Sequence, residues 1–196
     1  MEDYLVPGGQ AQAEYIEKKS RFIGQVFPIT TEQEAKATIE RVRRQHYDAR
    51  HNCWCYILKS GQKRYSDDGE PGGTAGMPII EVMKARGVVD CAVVVTRYFG
   101  GILLGAGGLV RAYSHTCALA LNAAKVCEMH PTVRYMAEVA YPLWDRVQHQ
   151  LKILPVRLEN PAFTAAVAFE LVMKETDEAK VREELTRVTD GRMEWL

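Results

Sequence analysis

The sequence predicts an α+β chain of two domains, residues 1–130 and 131–196. Three observations carry that expectation. The run Ala92-Val93-Val94-Val95 is apolar without alternation, as a central strand covered on both faces requires. Segments of strand and helix periodicity interleave along the chain. Beyond Met129-His130-Pro131-Thr132 the order becomes strand, helix, strand, strand, helix, strand, the ferredoxin-like βαββαβ pattern.

The elements follow in chain order. Residues 12–28 read as a hairpin, with Tyr15 and Ile16 in its first arm, Lys18-Lys19-Ser20 near the turn and Phe22 to Phe27 in its second. Thr31-Glu32-Gln33-Glu34 has the pattern of a capping box, so a helix starts there. Ala35, Ile39, Val42 and His46 recur at helical spacing and build its buried face; Lys36, Glu40, Arg41, Arg43 and Arg44 occupy the other. His51 to Lys59 and Cys91 to Phe99 read as strands. Between them Pro78 can open a helix that stops at Gly87. A glycine-rich turn at 100–108 leads into a long helix ending near Lys125, with Leu109, Ala112, Tyr113, Thr116, Ala120 and Ala123 spaced to pack. After the junction the predicted elements are strand 133–141, helix 143–153, strands near 156–159 and 163–173, helix 177–189 and strand 192–196. Asn160-Pro161 is the predicted turn between the two middle strands.

Composition narrows the function classes. The chain has 196 residues, 47% of them apolar, which suits a packed globular protein rather than a disordered one. No apolar run approaches the roughly 20 residues that cross a bilayer, so no membrane partner is expected. Met1-Glu2-Asp3-Tyr4 has neither a basic nor an apolar leader region. Five cysteines without a framework spacing point to a reducing, cytoplasmic compartment. Sixteen basic and 14 acidic residues precede Pro131, and 9 and 11 follow it, so the halves carry +2 and −2. Neither is a polycation, and nucleic-acid binding would have to use a local patch.

Three segments could carry chemistry. Tyr65-Ser66-Asp67-Asp68-Gly69-Glu70-Pro71-Gly72-Gly73-Thr74-Ala75-Gly76 crowds three carboxylates into a loop before a helix. Carboxylate oxygens suit Mg²⁺, a loop on a rigid scaffold suits recognition, and Asp with Gly equally suits a tight turn. Phe99-Gly100-Gly101-Ile102-Leu103-Leu104-Gly105-Ala106-Gly107-Gly108-Leu109 lies between a buried strand and a helix, where backbone amides can hold an anion. It completes neither phosphate-loop nor dinucleotide motif: Ala106-Gly107 stands where Lys-Ser/Thr would be needed, and Val110 where the last glycine would be. The alternative is a sharp turn with close helix–sheet packing. Arg97-Tyr98, beside that turn, could meet a phosphate and a base, or Arg97 could pair with the 67–70 carboxylates.

His51, Cys53 and Cys55 share one strand face, but no further ligand completes a zinc set, and the cysteines read as core. Ser114 and His115 are adjacent on a helix and point apart. Cys91 lies in an apolar run that blunts its thiol. The candidate binding residues are therefore His51, Ser66, Asp67, Asp68, Glu70, Thr74, Arg97, Tyr98, Gly105, Gly107 and Gly108, with no catalytic residue, metal or cofactor assigned.

Three blocks resemble the YigZ/IMPACT family: Asp48-Ala49-Arg50-His51 with its strand, Ser66 to Pro71 through Thr74-Ala75-Gly76 and Pro78, and Val95 through Tyr113. The resemblance implies an N-terminal α/β domain like domain 2 of a small-subunit ribosomal protein. It also implies a C-terminal ferredoxin-like domain similar to the last domain of elongation factor G. Eukaryotic relatives restrain a kinase that controls translation initiation. The function expected on that basis is translation-associated regulation, with RNA, the ribosome or a translation-control protein as partner. The alternatives are an enzyme acting on a phosphorylated small molecule, with Asp67, Asp68 and Glu70 holding Mg²⁺, and a purely protein-binding regulator.

Overall fold

The computed structural model describes residues 3–196; Met1 and Glu2, part of the stretch read as lacking a leader, lie outside the described residues. The chain divides into two compact units, one spanning Tyr4–Met129 and one holding His130–Leu196.

The first unit is built on a five-stranded antiparallel sheet in the order β2-β3-β6-β4-β5. Its strands are β2 (Ala11–Glu17), β3 (Ser20–Pro28), β4 (His51–Ile57), β5 (Lys63–Ser66) and β6 (Cys91–Tyr98). A short ribbon pairs β1 (Tyr4–Val6) with β7 (Cys127–Met129). The apolar run Ala92–Val95 forms the middle of β6, the central strand. Cys91, Val93 and Val95 pack under α2 (Gly76–Ala85) and α3 (Gly105–Ala123), while Ala92 and Val94 pack under α1 (Glu32–Gln45) on the other face. Strand alternation thus serves two cores at once, which is why no polar residue interrupts the run.

Local chemistry sets the helix boundaries. The Thr31 hydroxyl accepts from the Glu34 amide at 3.2 Å, and the Glu34 carboxylate reaches back one residue further than a standard box, to the Thr30 amide at 2.6 Å. Ala35, Ile39 and Val42 are buried as their spacing requires. Pro78 is the third residue of α2 rather than its start, a position in the first turn where its missing N–H costs nothing.

In the second unit β8 (Thr132–Val139), α4 (Tyr141–Leu151), β9 (Val156–Phe163), β10 (Val167–Lys174), α5 (Glu178–Thr189) and β11 (Glu194–Trp195) follow the βαββαβ order. The antiparallel sheet runs β11-β8-β10-β9, and Trp144, Val147, Phe169, Leu171, Val181 and Leu185 fill the space between it and the helices. One expectation is corrected. Asn160-Pro161 is not the turn; it lies inside β9, with Asn160 at φ 49° and a register irregularity opposite Ala168–Glu170. The reversal occurs at Thr164–Ala166. β9 is an edge strand, where a proline and a bulge remove no needed ladder bond. No helix among the described residues is long and apolar enough to cross a membrane.

Cys53 and Cys55 are fully buried, as their alternation with Trp54 and Tyr56 implies, and Cys91 and Cys117 lie in the same core. Burial pushes the Cys117 thiol up to about 12 and those of Cys53, Cys55 and Cys91 upward as well. Cys127 alone is exposed. Ellman's reagent at pH 8 should therefore find one fast thiol in the native protein and five after unfolding; two or more fast thiols would contradict this packing.

Candidate functional site

The site starts from strand register. β4 pairs with β6 so that His51 stands opposite Arg97, and β3 places Phe22 on the other side of Arg97. Residues directly opposite on neighbouring strands share a face, so His51 and Arg97 form one wall. Tyr98, next along β6, points to the reverse face, where its hydroxyl lies 2.9 Å from His46 Nδ1 and donates to Asp48 at 3.2 Å. The aromatic that joins Arg97 is Phe99, two residues on; the guanidinium lies 5.5 Å from its ring centroid.

The 66–76 loop is folded by its own carboxylates. Asp67 accepts the amides of Ala75 and Gly76 through Oδ1, at 3.0 and 2.7 Å, and that of Gly73 through Oδ2 at 2.9 Å. Ala75 has no side chain that could cap α2, so Asp67 supplies the cap from eight residues upstream. Asp68 accepts the Asn52 amide at 2.6 Å and Arg43 Nη2 at 2.6 Å. Its own carbonyl accepts from His51 Nδ1 at 2.8 Å, which requires the proton on Nδ1. Ser66 accepts the Asp68 amide, and Thr74 donates to the Pro71 carbonyl. Ser66, Asp67, Asp68 and Thr74 thus build the loop, and their polar groups are spent on it.

Glu70 faces inward instead. Its carboxylate is almost wholly buried and accepts through Oε1 from Arg97 Nη1 at 2.7 Å and from the Tyr113 hydroxyl at 2.8 Å. His51 Nε2 lies 3.8 Å from Glu70 Oε2. Cys53 Sγ lies 3.3 Å from the Tyr113 hydroxyl. Burial, then the neighbouring Cys53 and Glu70, push the Tyr113 hydroxyl far up, so it stays a donor. The three carboxylates therefore diverge onto separate protein donors rather than converging on a shared cation position. Arg97 realises the ion pair that was the alternative to a phosphate contact.

Above this pair the 66–76 loop and the 97–108 turn meet. Arg50, His51, Gly69, Glu70, Arg97, Phe99, Leu103, Leu104, Gly105 and Ala106 border a cleft of about 490 Å³. The turn is fixed by Gly100, whose amide donates to Ser20 Oγ at 3.2 Å and where a Cβ would lie 2.0 Å from the Lys19 carbonyl carbon. Gly105 opens α3 at φ 71°, a conformation other residues resist. No side chain among the described residues caps α3, and its first residues, Leu104 to Ala106, border the cleft, so the positive dipole end of the helix lies at its edge. Of the residues singled out in the sequence, His51, Glu70, Arg97 and Gly105 border this cleft. Gly107 is outside it, and Gly108 borders a separate groove beside β2 and α2. Arg50, Phe99 and Leu103 also border the cleft; none was among the candidate binding residues, although Arg50 lies in the Asp48–His51 block and Phe99 and Leu103 in the glycine-rich segment. Counting alternate residues from Arg97 would have found Phe99, whereas Arg50 required the β4–β6 register.

The comparisons with known proteins cover both units. The Impact N-terminal domain family matches residues 18–121, and a Domain of unknown function (DUF1949) matches residues 138–192. The IMPACT family member YvyE of Bacillus subtilis is 36% identical over 195 residues, covering 98% of this chain and 89% of its own. The IMPACT family member YigZ of Escherichia coli is 33% identical over 200 residues, covering 100% and 98%. A crystal structure of a hypothetical protein is similar with a TM-score of 0.65 at 32% identity, covering 100% of this chain and 97% of its own.

Proposed function

The chain belongs to the IMPACT family, and from that premise we propose that it is a translation-associated regulator that binds RNA through the cleft of its first unit. The observation that carries this reading is the meeting of exposed Arg50, the uncapped start of α3 and exposed Phe99 around one cleft. Cations and helix amides take phosphate, and an aromatic face takes a base. The family resemblance implies domains like those of a ribosomal protein and an elongation factor, which supports the translation setting by fold analogy, and such a role belongs in the cytoplasm. The divergence of Asp67, Asp68 and Glu70 weighs against the Mg²⁺-dependent enzyme.

With a net formal charge of zero, the chain offers a small electrostatic footprint. The salt dependence of binding should be correspondingly shallow. Anisotropy of a labelled single-stranded RNA, followed across salt concentrations, tests this. Arg50→Ala should weaken binding and lower the log–log salt slope by about 0.7, the share of one single-strand phosphate. Arg50 is exposed, so the variant should fold normally. Binding that ignores both salt and Arg50 would favour a protein partner instead.

A further inference from the structure

We infer that the cleft takes one unpaired nucleotide, its phosphate at the start of α3 and its base against Phe99 and Leu103; this rests on the cleft being the RNA site. The cleft has two chemically distinct halves. In the anion-binding half the start of α3, which no side chain among the described residues caps, borders the cleft together with Arg97, which is 5% exposed. The Arg97 guanidinium borders the cleft, and its charge favours an oxyanion there. Arg50 adds a second cation at the rim.

The other half is apolar and open. Phe99 is 47% exposed and Leu103 82% exposed, and both border the same cleft. Phe99 is held in place by Gly100, which is pinned against the β2–β3 turn. A ligand matching both halves needs an anionic end and a planar apolar end. A nucleotide has both.

Size and charge set the number of nucleotides. About 490 Å³ lies within the range of small-molecule sites, roughly 300–1,000 Å³, and suits a recess for one unit rather than a track for several phosphates. Glu70 already offsets much of the Arg97 charge. A base stacked within a duplex cannot enter such a recess, which selects unpaired strands.

Calorimetry on the full chain with adenosine 5′-monophosphate, adenosine and inorganic phosphate tests the assignment. The monophosphate should bind at least tenfold more tightly than either fragment. Phe99→Ala should weaken it about 5- to 150-fold, the 1–3 kcal/mol of one base–aromatic stack, and Arg50→Ala should weaken both the monophosphate and phosphate. Single-stranded oligonucleotide should bind better than the same sequence as duplex. Phosphate binding as tightly as the monophosphate, Phe99→Ala without effect, or duplex binding equally well would overturn the nucleotide assignment. If the oligonucleotide still bound in an Arg50-dependent way, the RNA reading would survive that failure. Monophosphate binding without oligonucleotide binding would sink the RNA reading and keep the nucleotide site.

Discussion

Replacing Arg97 by alanine is expected to cost about 3–5 kcal/mol of folding stability, the cost of breaking a buried ion pair from one side. Glu70 would remain in place with its carboxylate 2% exposed and its 2.7 Å partner gone. The Tyr113 hydroxyl would still donate to it, but one neutral donor does not compensate a buried charge. Phe22 and Phe99 would also lose the guanidinium packed on their rings. Urea unfolding of the variant measures this directly; a loss under 1 kcal/mol would mean that water reaches Glu70 freely. A drop in ligand binding on this substitution would therefore mix a lost contact with a damaged fold. Arg50→Ala is the cleaner probe of binding.

The second large effect lies at Asp67. Replacing it by asparagine removes a charge from a carboxylate that holds three loop amides. Asparagine could keep the two Oδ1 bonds to Ala75 and Gly76, but its amide nitrogen would face the Gly73 N–H, donor against donor. Loss of a charge-assisted cap and one unsatisfied amide should cost about 1–3 kcal/mol. The 66–76 loop should loosen first, seen as faster hydrogen exchange at Gly73, Ala75 and Gly76. Unchanged exchange at these three amides would show that the cap is dispensable.

What the sequence revealed and what it hid have physical reasons. Ala92–Val95 disclosed the central strand because two-sided burial leaves no alternation. The alternation of Cys53 and Cys55 disclosed which β4 face is the α2–α3 core. The short strands β1, β5 and β7 escaped notice, since three or four residues show no period. Asn160-Pro161 misled because an edge strand accepts the residues that elsewhere make a turn. The 66–76 loop and the 97–108 turn, both singled out for chemistry, do meet at one cleft. The roles within them were less legible. That Asp67 and Asp68 point to amides, and Glu70 to Arg97, depends on the path of a loop with Asp68 and Gly69 both at positive φ. No pattern of residue types encodes that path.

The proposed RNA site is the cleft between the 66–76 loop and the start of α3. Its most direct measurement is a titration of ¹⁵N-labelled protein with a single-stranded oligonucleotide, followed amide by amide. Saturable shifts should centre on Arg50, His51, Gly69, Phe99, Gly105 and Ala106, and the same oligonucleotide at an equal, sub-saturating concentration should move them less in the Arg50→Ala variant. Shifts confined to the sheet and helices of residues 132–196, or no saturable shifts at all, would contradict the account.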